Sequence, residues 1–284
     1  MTLSRSSHAP ASWWQLFAVF IIALLLFLGL RWQPEIWLGT QINKLAKQQG
    51  ITLSYDRLQL HAFTMHIKNI SITNISIQNT QQPNPIIIDS ITLSPAWSAL
   101  LSGNPAVQIH TQWHGQSAAA VLSQQGEHIL LQDISADIEA TSLQPILNQH
   151  LPLAVNIFGQ LHLSGSLELQ TNAHPLQGNI ELSWRAAALD LSSHRIDLGD
   201  YKLAIQNNQP NIPWQWVIGG GSALILSGKG QIDASAQNPQ TWLMTGEIQI
   251  KAAKKATMLS SILGSKSKKF SLSGNISQPQ LRPL

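Results

Sequence analysis

Ten histidines are the residues of this 284-residue chain with the clearest potential to bind metal. His110 and His114 share a predicted strand face, but four residues of strand place them about 13 Å apart, too far to hold one ion. His61 and His66 would point to opposite faces of a regular strand, and neither pair belongs to an H-E-x-x-H helix. The chain has no cysteine, which excludes thiolate sites and a disulfide scaffold. We therefore expect exposed or packed histidines and no metal centre.

Other catalytic groups are equally scattered. Asp133, Asp137 and Glu139 project from one predicted strand with no partner base, which favours a solvated face. No serine lies in a G-x-S-x-G nucleophile elbow. The pair Gly228-Lys229 lacks the upstream glycine and the following Ser or Thr of a P-loop, and it opens into a strand rather than a helix. The residues thus predict a non-enzymatic protein without a cofactor.

Lysines concentrate near the C-terminus, with no acidic residue among them. The stretch has two explanations: contact with anionic headgroups or an acidic partner, at about 1 kcal/mol per surface lysine, or a solvated helix that caps the open end of a sheet. We favour the second, because apolar residues at Met258, Leu259, Ile262 and Leu263 give that helix a packing side. The net charge of +3 is mild, so nucleic acid is not an expected partner. The lysines are Lys251, Lys254, Lys255, Lys266, Lys268 and Lys269.

Composition favours a folded chain whose surfaces are hydrophilic but carry few charges. Hydrophobic residues make up 44% of the sequence and charged residues 11%, against roughly 25% charged in ordinary soluble domains. Gln, Asn, Ser and Thr replace the missing charges, a balance that is common in bacterial envelope proteins. The length allows one large or two modest domains.

A membrane helix is predicted over residues 13–32, after a cytoplasmic tail over 1–12. No charge occurs from Ala9 to Leu30, and Trp13–Leu30 would span about 27 Å, close to a bilayer's hydrocarbon thickness. A cleaved signal peptide is the alternative, but FLGLRWQ contains no A-x-A-like cleavage site. The positive-inside bias is nearly flat, so the short tail favours export of the rest of the chain. The predicted anchor residues are Trp13, Trp14, Leu16, Phe17, Phe20, Ile21, Ile22, Leu24, Leu25, Leu26, Phe27, Leu28, Leu30 and Trp32.

A juxtamembrane helix follows within residues 33–50, with Pro34 in its first turn and Gly50 after its end. Beyond Gly50 the apolar period changes to two, which predicts half-buried strands. Phase slips at Lys68–Asn69 and Thr73–Asn74 indicate β-bulges. Short connections favour an antiparallel sheet. The predicted strands are Ile86–Leu93, Val107–Trp113, Ile134–Ile138, Leu161–Leu169, Ile180–Ala188, Tyr201–Ile205, Leu224–Ile232, Trp242–Ile250 and Phe270–Ile276.

A composition break at Leu143–Pro152 divides the exported part into β subdomains over 51–142 and 143–284. In the second, a pattern of apolar, small polar, Gly, any, apolar recurs five times. Because glycine weakens strands, it is expected where a sheet bends or another group approaches the backbone. The expected fold is therefore a curved antiparallel sheet, half-barrel or taco-like, with few short helices. Ordinary bends of a meander are the favoured explanation; a groove for a lipid tail or a partner strand is the other. The glycines are Gly165, Gly178, Gly228, Gly246 and Gly274.

These stretches carry a resemblance to a known family. FGQLHLSGSLEL, GNIELSWRAAALDL, LGDYKLAI, GGGSALILSGKGQI and WLMTGEIQIKA resemble the type II secretion system protein N (GspN) family. The first half, INKLAKQQGITLSYDRLQL through PIIIDSITLSPAWSALLSGNP, is similar to the N-terminal part of AsmA-like envelope proteins.

The resemblance implies a non-catalytic, single-pass inner-membrane protein with its bulk in the periplasm. It would bind other type II secretion subunits in the envelope, although no clear acidic or aromatic docking signature is present. The alternative is an AsmA-like protein that carries or binds lipid in a β groove. A continuous apolar channel favours the carrier, and a sheet filled by its own side chains favours the assembly role.

Overall fold

The protein is mainly β. The computed structural model describes residues 34–48, 51–61, 63–74, 86–97, 99, 103–144, 155–171, 174–191, 194–210, 212–236, 241–253, 259–260, 264 and 266–284. These contain a helix, α1 (Pro34–Gln48), a 3-10 helix (Ala140–Leu143) and fifteen strands. The strands are β1 (Ile51–Ser54), β2 (Arg57–His61), β3 (Thr64–Asn74), β4 (Ile86–Pro95), β5 (Ala106–Trp113), β6 (Gln116–Gln125), β7 (His128–Glu139), β8 (Asn156–Gln170), β9 (Pro175–Leu191), β10 (His194–Asn207), β11 (Trp214–Gly220), β12 (Leu224–Asp233), β13 (Leu243–Ala252), β14 (Lys268–Asn275) and β15 (Gln278–Pro283).

All fifteen strands form one open antiparallel sheet in chain order. The exception is at β3, where β1 pairs with its second half and β2 with its first half on the same side. β7 pairs directly with β8, so the sheet is continuous across the segment predicted to separate two subdomains. Each strand thus packs beside its chain neighbours, as in a long meander.

The fold class predicted from the sequence is wrong about the membrane helix. We expected a single N-terminal transmembrane helix ahead of the sheet, but no helix among the described residues is long and apolar enough to cross a membrane. The expected anchor, 13–32, and the tail, 1–12, lie outside the described residues. The one long helix described, α1, rises only about 22 Å in fifteen residues and carries Glu35, Lys44 and Lys47. The architecture shown is a mainly β chain with an open sheet.

α1 packs against the β1–β2 edge of this sheet. Glu35 in its first turn accepts a hydrogen bond from the Leu60 backbone N–H at 3.2 Å, and Lys47 lies in its last turn, so both charges suit the helix dipole. Gly39 is buried against the Tyr55 side chain. The absence of a Cβ at this position lets the helix approach β1 closely.

Local irregularities keep the apolar side chains on one face. Asn69, Asp133 and Ala186 all have positive φ, between 48° and 50°. Asn69 lies at one predicted phase slip, so that Ile67 and Ile70 are both buried. Asp133 lies where the β7–β8 register shifts between Leu131 and Ile134. Each irregularity inserts a residue that resets the period-two alternation.

From β4 onward, three strands were missed by the sequence analysis, each for a physical reason. β6 contains three consecutive alanines, a residue depleted in strands. β15 contains two prolines, which remove ladder donors. β11 is a short strand of seven residues that ends on two glycines. Pairing with neighbouring strands stabilises all three where their own propensity does not.

Candidate functional site

The register produces one unbroken row of uncharged side chains across fourteen strands. Starting at β2 and ending at β15, every member pairs directly with the next, which puts all of them on the same face of the sheet. At about 4.8 Å per strand the row is roughly 62 Å long. Two of its members are fully buried, and most of the others are partly buried. The row is Leu58, Ile67, Ile91, Thr111, Ala118, Ala136, Leu163, Leu182, Leu203, Ile218, Gly228, Ile248, Phe270 and Pro283.

The opposite face is polar. Adjacent strands carry cross-strand polar pairs there, such as the ion pair of Lys202 with Glu181 at 2.7 Å and the contact of His162 Nδ1 with the Asp137 carboxylate at 2.8 Å. Such exposed pairs contribute about 0–1 kcal/mol each. The sheet therefore has one hydrophilic face. The other face, which carries the row of uncharged side chains, is called the apolar face from here on.

A large cavity, here called the groove, lies on the apolar face where α1 approaches the sheet, and strands β2–β7 contribute to its lining. Its volume is about 710 Å³, within the range of small-molecule sites. None of the described residues that line it is charged. They are Leu38, Leu60, Phe63, Thr64, Met65, Leu93, Ser94, Pro95, Pro105, Ala106, Val107, Leu122, Ser123, Gln124 and Ile129.

The groove differs from the other large cavities. The next two, of about 440 and 320 Å³, are both lined in part by Lys229 and Glu247. An ionised side chain opposes the burial of an apolar ligand because the charge loses its water. The groove is therefore the cavity suited to an extended apolar molecule.

The five predicted strand glycines all lie on the apolar face, where neighbouring side chains cover them. A Cβ at Gly246 would meet the Trp216 ring and would lie 2.5 Å from the Lys229 carbonyl oxygen. A Cβ at Gly228 would lie 3.1 Å from the Ile218 side chain and 3.2 Å from the Ile248 side chain. Trp216 is 3% exposed and belongs to a cluster of buried residues. In this half of the sheet the chain's own side chains occupy the space that the glycines leave.

The remaining three glycines follow the same rule. Gly165 pairs with Ile180, and Gly178 pairs with Leu167. Gly274, within β14, has φ 113°, and a Cβ there would lie 2.7 Å from the Gln278 carbonyl oxygen. At each of these glycines a neighbouring strand approaches too closely to leave room for a Cβ.

The lysine stretch lies at one end of β13 and β14. Lys251, Lys266, Lys268 and Lys269 are exposed, whereas Lys254 and Lys255 lie outside the described residues. Leu259 is buried with Ala187, Leu198 and Ala252. The described apolar residue of the stretch thus packs against residues of β9, β10 and β13.

The histidines occupy different positions from those expected. A turn separates β2 from β3, so His61 and His66 lie on one face, and their rings meet edge to face at 5.8 Å. The expectation of opposite faces was wrong because it assumed one regular strand. His66 Nδ1 lies 2.9 Å from the Thr92 hydroxyl. Among the described residues, no three His, Asp or Glu side chains converge on a possible metal position.

Tyr201 is the titratable group with the largest described perturbation. Its hydroxyl donates to the Leu224 carbonyl at 2.7 Å, and its ring lies 5.9 Å from that of Trp184. Burial raises the pKa of Tyr201 to about 12, because the phenolate would lose its water. A phenol held neutral in this way is a structural group.

Sequence reasoning missed the groove residues. Alternation marks parts of β2–β5, but β6 has no such pattern, and alternation leaves open which strands are neighbours and in which register they pair. The groove also depends on the approach of α1, through Leu38, to the sheet. The available signal was the absence of charge at alternate positions in successive strands.

Comparison of the chain with protein-family models, curated proteins and solved structures gave no match.

Proposed function

We propose that the protein is a non-catalytic envelope protein that holds acyl chains on the apolar face of its sheet. The observation that carries this proposal is the fourteen-strand row of uncharged, partly buried side chains, together with the charge-free groove at its β2 end. Where the chain's own side chains do not fill it, an apolar surface of this kind is typical of a ligand or partner site. The groove supplies a binding cavity at one end of the row.

Energetics favour an acyl chain as the occupant. Each buried CH₂ contributes about 0.8 kcal/mol, and a charge-free lining imposes no competing desolvation.

Matched valine substitutions test the proposal. Val107 lines the groove and is 38% exposed, whereas Val217 is 54% exposed on the polar face. Val107→Asn should weaken binding of a fluorescent fatty acid by about fivefold, since about 1 kcal/mol of apolar contact is lost. Val217→Asn should leave the affinity unchanged. The measurement is titration of the full-length protein in each form, together with mass spectrometry of lipids that co-purify.

Three outcomes would contradict acyl-chain binding. They are the absence of co-purifying lipid, the absence of fatty-acid binding, and equal effects of the two valine substitutions. The last outcome would indicate that the fatty acid associates with some other part of the chain.

A second proposal is a role as a type II secretion component that acts by protein–protein binding. The stretches that resemble the GspN family fall in β8–β13, six strands that are neighbours in the sheet. The polar face of these strands exposes Val217 and Ile225 beside Lys229 and Lys251. This surface combines apolar and charged groups, as protein interfaces do.

Photo-cross-linking in intact cells tests the second proposal. A cross-linker at Val217 should capture secretion-apparatus subunits, and one at Ser117, on β6, should not. Recovery of lipid-assembly proteins alone would contradict the secretion role. Both proposals put the domain in the bacterial periplasm beside the inner membrane, and neither requires a catalytic group.

A further inference from the structure

Two aromatic side chains project into solvent at one end of the groove. Phe63, in the β2–β3 turn, is 68% exposed, and Trp97, directly after β4, is 55% exposed. Their rings meet edge to face, with centroids 5.3 Å apart. Phe63 also lines the groove, so this aromatic pair is continuous with the cavity.

The backbone around the pair is well anchored. Thr64 donates its hydroxyl hydrogen to the His61 carbonyl at 3.2 Å across the β2–β3 turn. Ala96, next to Trp97, is buried, and its N–H donates to the Ala106 carbonyl at 2.9 Å. The aromatic rings therefore extend from a fixed frame, in contact with each other.

We infer that the Phe63–Trp97 pair docks on a lipid bilayer and opens the groove toward it. This inference rests on the proposed acyl-chain function. An acyl chain that crosses water exposes every methylene, so the mouth of an acyl-binding groove needs contact with the membrane that supplies the lipid. Phe and Trp are the residues that enter the headgroup boundary from a peripheral protein. Since no described residue of the lining is charged, contact between the groove and the bilayer removes water from no ion of that lining.

Site-specific labelling tests the docking, because the chain has no cysteine of its own. His61→Cys places a polarity-sensitive dye beside the pair, and Ser117→Cys places it on an exposed site at the far ends of the strands. With full-length protein in phosphatidylcholine vesicles, the dye at position 61 should shift to shorter wavelength and be quenched by brominated lipid. The dye at position 117 should show neither change. Equal behaviour at both sites would overturn the docking.

A second variant separates docking from binding. In Trp97→Ser, which removes the ring of the pair that does not line the groove, the rate of lipid uptake from vesicles should fall at least fivefold, while affinity for a water-soluble lysolipid stays within twofold. An unchanged uptake rate would overturn the docking. Failure of the unsubstituted protein to bind the lysolipid would instead refute the proposed function, and the dye measurement would still decide the docking.

Discussion

Trp216 shows how single residues shape the apolar face. Its indole covers Gly230 and Gly246, which pair with each other on β12 and β13, and its N–H donates to the Thr245 carbonyl at 3.2 Å. Such an arrangement, in which an aromatic ring packs over strand glycines, offsets the weakness of glycine in a sheet. The ring takes the volume that two Cβ atoms would otherwise fill.

Substitution of one of these glycines should destabilise the protein. In Gly246→Ala the new methyl overlaps the Trp216 ring and the Lys229 carbonyl, and overpacking of this kind costs about 1–3 kcal/mol. Gly219→Ala is the matched control, because its nearest neighbour would be the Leu226 carbonyl at 3.9 Å. Urea unfolding followed by tryptophan fluorescence measures both. Equal effects would mean that Trp216 is free to move away.

Tyr201 predicts a dependence of stability on alkaline pH. Its pKa is about 12 in the folded protein and about 10 when unfolded, so the folded state favours the protonated phenol. The corresponding stability is fully present below pH 10 and is lost as pH rises from 10 through 12. Tyr201→Phe should remove this part of the dependence and cost about 1 kcal/mol at pH 8 through loss of the Leu224 hydrogen bond. Thermal unfolding of both forms at pH 8 and 11 checks it; identical alkaline losses would contradict it.

At the scale of elements, β15 is a protected edge. Leu284 N–H donates to the Lys269 carbonyl, so by alternation the backbone of Gln280 and Arg282 also points toward β14. Residues 279, 281 and 283 then point outward, and Pro279 and Pro283 have no N–H to offer. Leu281 alone presents an outward strand donor. Prolines at an edge are a recognised defence against strand addition.

Removal of the edge prolines should promote self-association. Pro279→Thr/Pro283→Thr restores two outward N–H groups, and a second copy can then pair along β15. Light scattering should show a mass that rises with concentration. The matched control, Gln280→Thr/Arg282→Thr, changes side chains without adding outward donors and should leave the mass unchanged. The same mass in both variants would show that the prolines do not protect the edge.

The whole molecule resembles a repeat protein in its contacts. Described contacts between strands are almost entirely between chain neighbours, so stability should spread from unit to unit rather than from one central core. The longest strands, β8, β9 and β10, lie in the middle of the order. The edges, β1, β2 and β15, are short.

Amide hydrogen exchange should therefore be graded along the sheet. We expect the strongest protection in β8–β10 and a decline toward β15 on one side and β1–β2 on the other, because edge strands open without breaking the centre. Exchange measured peptide by peptide by mass spectrometry checks this. Uniform protection across all strands would indicate a single cooperative unit instead.

The sequence by itself determined the β-rich, antiparallel character of the chain, the helix from Pro34 and the glycine positions. These follow from local chemistry: a period of two, the constraint at proline and the missing Cβ of glycine act on the residue that carries them. The resemblance to the GspN and AsmA-like proteins remains a proposal.

Only the tertiary structure decided the register that aligns fourteen strands into one uncharged row. It also decided the turn that brings His61 to His66, the cover of Trp216 over its glycines and the groove beneath α1. If one strand slipped by one residue against its neighbour, its apolar side chains would move to the opposite face of the sheet. Alternation within a strand also does not specify which strand it pairs with. The candidate site therefore depends on pairings between strands, which no single stretch of the sequence contains.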